Sequence, residues 1–254
     1  MLIIELVFLF LLGLAFGSFF NVCISRIPAG KNLLNPSQCL KCGHRLRMVE
    51  NIPILSYIIL KGKCKKCGDK IPGYHIIVEL ITPVVFIALF IRSGLKLDLY
   101  FFKYLIFASF CIIVFFTDLK ARIIPDLITL PLIFIGIGIS LLSNSDVSFS
   151  SALIGGSISF VVFLFTAIVF ERILKKESLG GGDIKLITAI GFYLGISGVV
   201  FTVIIASVIA LIILLMFKYD TGKEFPFGPF LVTAALFYIF TGKYFSNLYI
   251  NLLR

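Results

Sequence analysis

The residues best placed to do chemistry are two aspartates. Asp183 closes the run Leu179-Gly180-Gly181-Gly182-Asp183-Ile184-Lys185 at the mouth of an apolar segment, and Asp118 ends another, Ile113-Val114-Phe115-Phe116-Thr117-Asp118. An acid inside a membrane helix costs about 2.5 to 3.5 kcal/mol on insertion scales, so one kept at a membrane boundary marks a functional site by default. Two close carboxylates suit hydrolysis of a peptide bond. Like charges a few ångströms apart do not both ionise, so the pair shares a proton; one oxygen takes a proton from water while another donates to the carbonyl. Gly180, Gly181 and Gly182, lacking a Cβ, would let an extended substrate strand lie against the backbone and permit φ values closed to other residues. The plainer alternative makes the glycines a loop, Asp183 a helix N-cap and Lys185 a cation reaching to the interface. Of the other acids, Asp126 follows Pro125 at a helix start, where an N-cap belongs, and Glu79 lies one turn inside a span as an ion-pair partner or helper.

A second chemistry lies in the cysteines. Cys39-Leu40-Lys41-Cys42-Gly43-His44 and Cys64-Lys65-Lys66-Cys67-Gly68-Asp69 are near-copies of one knuckle, with 21 residues between Cys42 and Cys64. Paired C-x-x-C turns at such spacing aim two thiolates each at one tetrahedral ion, which points to zinc held by Cys39, Cys42, Cys64 and Cys67. The alternatives are two disulfides, disfavoured in a reducing cytosol, and four unrelated thiols, which would not repeat the C-x-x-C-G pattern. Four thiolates leave no open position, so the zinc would be structural. Cys23 and Cys111 lie in or beside apolar runs and read as packing thiols.

These residues must be positioned by membrane helices. With 59% hydrophobic and 14% charged residues, and a mean hydropathy of +1.10, the chain is far more apolar than a soluble domain, in which about 25% of residues are charged. The expected fold is an all-α polytopic membrane protein of about eight transmembrane helices, at 2–22, 75–91, 100–117, 127–142, 151–170, 184–194, 199–217 and 230–248, in the lipid bilayer. The segment 184–194 is short for a crossing and would tilt, thin the bilayer or run on past Gly195. The first run has neither a basic start nor a small-residue cleavage site and reads as a retained span.

The expected domains are the first helix at 1–24, a cytoplasmic zinc-knuckle domain at 25–74 between helices 1 and 2, and the bundle at 75–254. The net charge of +10 sits in loops, as the positive-inside rule expects of a cytoplasmic face, so no nucleic-acid partner is implied. The zinc loop carries ten Lys or Arg against Glu50 and Asp69. Lys120, Arg122, Arg172, Lys175, Lys176, Lys218 and Lys223 share its side, whereas Arg92, Lys96, Lys103, Lys243 and Arg254 fall in outer loops, ends or spans. Both aspartates then face the cytoplasm, and both termini face outward.

At this point a resemblance emerges. Asp118 with the residues to Asp126, and Gly180-Gly181-Gly182-Asp183-Ile184-Lys185-Leu186, resemble the paired motifs of the prepilin peptidases, membrane aspartic proteases of the GxGD class. Gly17-Ser18-Phe19-Phe20-Asn21-Val22, both C-x-x-C pairs, Asn51-Ile52-Pro53-Ile54-Leu55-Ser56-Tyr57, Val78-Glu79-Leu80 and Pro226-Phe227-Gly228-Pro229-Phe230 follow in that family's order. Phe20 stands where many members carry leucine. The resemblance implies a multi-pass enzyme of the bacterial cytoplasmic membrane that cuts the basic leader from type IV prepilins or pseudopilins after a glycine. It also implies methylation of the new N-terminus by S-adenosylmethionine. Nothing here matches a glycine-rich cofactor fold; the zinc loop is the candidate methyltransferase region, with Glu50, Gly62 and Glu79 as contributors. The plainer readings of those three are a solvated charge, a turn glycine and an interfacial acid.

Rival functions are a peptidase without methylation, a non-enzymatic assembly factor docking through the zinc loop, and a proton-coupled transporter. The last fits poorly, because transporters place their acids near the midplane between repeats, and no repeat is visible here.

Overall fold

The computed structural model describes residues 2–39, 41–142, 146–175, 179–217 and 225–252, with backbone only at 48, 174, 217 and 243–252. Lys176, Lys218, Lys223 and Arg254, and the side chain of Lys243, lie outside the described residues. The chain folds as two compact units, Met1–Leu97 and Asp98–Arg254.

The first unit pairs two long apolar helices, α1 (Leu2–Arg26) and a later helix, across a polar loop. Within that loop lie one 3-10 turn, Met48–Asn51, and a short helix, α2 (Leu55–Ile59). The chain then enters α3 (Tyr74–Arg92). Glycines set how closely α1 and α3 approach: a Cβ on Gly13 would fall onto the backbone of Pro83, and one on Gly17 would lie 2.9 Å from the Glu79 Cα. Small residues at such crossings are what membrane helices use in place of a hydrophobic drive. Within this unit α3 packs on α1.

The second unit holds α4 (Leu99–Ala121), α5 (Asp126–Ser140), α6 (Phe149–Leu174), α7 (Gly181–Phe217) and α8 (Gly228–Leu252). Asp98 caps α4 by accepting from the Phe101 N–H at 2.9 Å, and Ser148 caps α6 by accepting from Ser151. α7 is the hub, packed on α5, α6 and α8. Against α6 it uses glycines again, since a Cβ on Gly191 would lie 2.5 Å from the Gly155 carbonyl oxygen. Leu132, Leu186, Ile187, Ile190 and Leu231 are fully buried around it, and the Tyr193 ring meets Phe107 at 4.8 Å between centroids.

Five helices among the described residues are long and apolar enough to cross a membrane: α1, α3, α4, α6 and α7. α5 and the described apolar part of α8, Gly228–Gly242, are shorter. The 15 residues of α5 span only about 22 Å at 1.5 Å per residue, against a hydrocarbon core of about 30 Å. The segments expected at 184–194 and 199–217 form one helical run broken at Gly195, where φ is 69° and ψ is −173°. A left-handed φ is open to glycine and costly for other residues. Ile3, Phe134 and Leu215 are 76%, 69% and 72% exposed, a surface suited to lipid and not to water.

Candidate active site and metal centre

Asp118 and Asp183 both stand at one end of the second unit. Asp118 lies in the last turn of α4, which closes at Arg122 in a left-handed conformation whose N–H donates to the Asp118 carbonyl at 2.8 Å. Asp183 occupies the first turn of α7. The chain leaves α4, passes Ile124, and begins α5 at Asp126, so helix starts of α5, α7 and α8 gather around the end of α4. Helix starts carry partial positive charge from unpaired N–H groups, which favours carboxylates beside them.

The Asp118 side chain is only 5% exposed. Its Oδ2 accepts the backbone N–H of Gly228, the first residue of α8, at 3.0 Å. A Cβ on Gly228 would sit 2.8 Å from that same Oδ2. Asp183 feels the charge of Asp118, and Asp118 that of Arg122. Asp183 Oδ1 is buried and has no protein partner among the described residues. The arrangement therefore offers one carboxylate fixed by a backbone donor and a second with an acceptor oxygen still free.

The three glycines before Asp183 differ. A Cβ on Gly180 would touch Asp183 Oδ2 at 3.0 Å, and one on Gly182 would lie 2.7 Å from the Ile124 Cβ, whereas Gly181 faces open space. None of the three has a positive φ; their smallness is used and their conformational freedom is not. Asp126 is not the expected N-cap. Pro125 holds the cap position, and the Asp126 carboxylate accepts from Lys185 Nζ at 2.5 Å instead, a cation on the facing turn of α7 drawing it away from its own helix. Lys185, read as an interfacial cation, is thus a strut between α5 and α7.

The cysteines converge as their spacing suggests. The four Sγ atoms of Cys39, Cys42, Cys64 and Cys67 lie within 4.8 Å of one another, with Cys39 to Cys67 at 3.8 Å and Cys42 to Cys64 at 4.0 Å. Four sulfurs about 2.3 Å from a tetrahedral zinc are separated by about 3.8 Å, and bonded sulfurs by only about 2.05 Å. The cluster fits zinc and not disulfides. Both knuckles repeat one set of bonds: Cys39 N–H to the His44 carbonyl and Gly43 N–H to the Cys39 carbonyl, then Cys64 to Asp69 and Gly68 to Cys64. Gly43 and Gly68 have φ of 66° and 71°, so a left-handed glycine closes each turn. Backbone N–H groups of Cys42 and Lys41 pull the Cys39 thiol down, whereas, against the pull of the Asp69 N–H, desolvation and the neighbouring sulfurs hold the Cys67 thiol up; a metal bound here must displace protons from the set. Lys41 and Asp69 tie the knuckles together at 3.0 Å. Cys23 and Cys111 are buried among apolar side chains, as expected.

Glu50, Gly62 and Glu79 share no partner. Glu50 is held below the usual carboxylate range by the Arg47 N–H at 3.0 Å, with His44 at 3.1 Å and Lys65 at 3.8 Å. It joins one knuckle to the other beside a cavity of about 240 Å³ lined by His44, Arg47, Glu50, Lys65 and Lys66. Gly62, at φ 67°, lies under the Tyr57 ring. Glu79 binds the loop to the helices: its Oε2 accepts the Ile54 N–H at 2.8 Å, and its carboxylate takes bonds from Asn21 and Ser18. Gly17-Ser18 and Asn21 are thereby explained as contacts of α1 with α3 and the loop.

Comparison with known proteins agrees with this division. Residues 11–93 match the model of the bacterial peptidase A24 N-terminal domain, and residues 105–215 match that of the type IV leader peptidase family. A prepilin leader peptidase/N-methyltransferase of Myxococcus xanthus is 34% identical over 87% of this chain, which spans 65% of that protein's length. Proteins of the same name from Dichelobacter nodosus and Neisseria gonorrhoeae are 32% and 33% identical over 95% and 91% of this chain, covering 93% and 88% of their own lengths. No solved structure matches the chain significantly. Near-complete coverage by these relatives, and a family model on each unit, show that the chain belongs to the family of prepilin leader peptidases/N-methyltransferases.

Proposed function

We propose that Asp118 and Asp183 are the catalytic pair, cutting the basic leader from type IV prepilins or pseudopilins at the cytoplasmic face of the bacterial inner membrane. The observation that carries this is the buried, unpartnered Oδ1 of Asp183 in the field of an Asp118 carboxylate fixed by the Gly228 N–H. The pair holds one shared proton. One carboxylate takes a proton from water as its oxygen bonds to the scissile carbonyl carbon; the other gives its proton to the carbonyl oxygen. In the second half the tetrahedral carbon expels the amine, which receives a proton from the pair. Gly180, Gly181 and Gly182 form the substrate approach, with Gly181 on the open side. Lys120, Arg122, Arg172 and Lys175, at or just beyond the ends of α4 and α6, support the cytoplasmic assignment through the positive-inside rule.

The cysteine cluster holds structural zinc. S-adenosylmethionine, when bound, supplies the methyl group for the new N-terminal amine. The cavity beside Glu50 suits its zwitterionic end, a carboxylate for the ammonium and Arg47, Lys65 and Lys66 for the carboxylate; Gly62 and Glu79 shape the loop around it. The test uses purified protein in lipid with a prepilin and labelled S-adenosylmethionine, following peptide mass and label together. Asp118→Asn and Asp183→Asn should each lower cleavage by at least about a thousandfold with folding retained, since an amide does not take a proton from water. Cleavage within tenfold of the parent in either variant would overturn the assignment.

A further inference from the structure

The segment between the 3-10 turn and the second knuckle carries an apolar face that no other part of the described chain covers. Ile52, Leu55, Ile58 and Ile59 are 41%, 56%, 61% and 70% exposed. Leu55, Ile58 and Ile59 fall on one face of α2, at the spacing of neighbouring helix turns, whereas Tyr57 turns inward over Gly62. The segment also sits deep. Asn51 and Pro53 line a groove with Ala15, Ser18, Phe19 and Val22 of α1, and Ile54 is bonded to Glu79 of α3. Ser18 lies eight residues before the end of α1, about 12 Å back along its axis at 1.5 Å per residue, and Glu79 five residues into α3, about 8 Å. The loop thus folds back beside the apolar lengths of two spans.

Its backbone is prepared for that depth. The N–H groups of Ile54, Leu55, Ser56 and Ile58 are bonded to Glu79 and to the carbonyls of Pro53, Ile52 and Ile54. Pro53 has no donor to satisfy, and the Ser56 hydroxyl donates to the Ile52 carbonyl at 2.7 Å. Backbone without such partners is excluded from low-water regions. Just after α2 the chain presents Lys61 and Lys63, both exposed, the charge that anionic headgroups attract.

We infer that Ile52–Ile59 is an interfacial anchor, which sets Ile52, Leu55, Ile58 and Ile59 among the acyl chains and the following lysines against anionic phospholipid headgroups. It seats the zinc loop on the membrane surface beside α1 and α3. The chain contains no tryptophan, so a single one reports its site alone. Ile58→Trp and Leu55→Trp variants of the full chain are reconstituted in phosphatidylglycerol and phosphatidylethanolamine vesicles, with and without bromine on the shallow acyl carbons. Zinc content and helicity are measured in each to establish that the fold is retained. The expected result is blue-shifted emission, at least halved by the brominated lipid. In the Ile58→Trp background, Lys61→Glu with Lys63→Glu should weaken that quenching at least twofold in anionic vesicles and leave it unchanged in zwitterionic ones. Solvent-like, unquenched emission would overturn the anchor. So would quenching or a blue shift that appears only when a prepilin is added, which would make this face a substrate surface. Quenching indifferent to the lysine changes would overturn the headgroup half of the inference.

Discussion

Gly228 places a backbone N–H on one catalytic candidate, which makes it the residue whose substitution tests the site without removing a carboxylate. An alanine there brings a methyl to within 2.8 Å of Asp118 Oδ2, so the 3.0 Å bond must lengthen or break. Hydrogen bonds to charged groups contribute about 1.5 to 3 kcal/mol. Gly228→Ala should therefore lower kcat/KM for prepilin cleavage by roughly tenfold to a hundredfold, measured at unchanged helicity; full activity would mean that the bond has no part in the reaction. Gly181→Ala meets nothing in the chain itself. It should raise KM with kcat unchanged if a substrate strand passes there, and steady-state kinetics separate the two. The aspartates and cysteines stand out in the sequence as candidates because each is a chemistry-bearing type in a context that penalises or repeats it, and the structure brings the four cysteines together. Gly228, within Pro226-Phe227-Gly228-Pro229-Phe230, has no role readable from sequence, since a backbone donor has no side-chain signature and its partner is 110 positions away.

At the scale of elements, the apolar runs named the helices but not what joins them. The length of the apolar runs places α1, α3, α4 and α6 directly, because spans of that length have few alternatives. The break at Gly195 was legible only as a run that is too short, and the strut between α5 and α7 was not legible at all, since Asp126 after Pro125 satisfies the local rule for a cap. Only tertiary structure brings Lys185 opposite. The strut's side chains are 57% and 35% exposed, and a pair so open contributes about 0 to 1 kcal/mol. Asp126→Asn should accordingly lower the unfolding midpoint slightly and leave cleavage within about threefold of the parent. Exchanging the charges, Asp126→Lys with Lys185→Asp, should recover most of the loss. A collapse of cleavage in Asp126→Asn alone, at full stability, would instead make Asp126 part of the chemistry.

At the scale of the molecule, the cysteine cluster and the aspartate pair belong to different compact units, each matched by its own family model. That partition predicts that the two activities can be separated. Replacing Cys39, Cys42, Cys64 and Cys67 together by serine removes the metal's thiolates. In small zinc sites about 10 to 16 kcal/mol of binding free energy is also folding free energy, so the knuckles should unfold and one zinc per chain should be lost, as elemental analysis would read. The helices of the second unit satisfy their own backbone hydrogen bonds and pack through glycine contacts that involve no residue of the loop. Helicity should then fall little, and a prepilin should still be cut at a reduced rate. Methylation of a pre-cut pilin should disappear, because Glu50, His44 and Lys65 owe their arrangement to the two knuckles. A serine variant that keeps its metal, or that methylates a pre-cut pilin at the parent rate, would place the methyl-transfer site outside the zinc loop. Loss of cleavage to the same extent as methylation would show instead that the two units act as one.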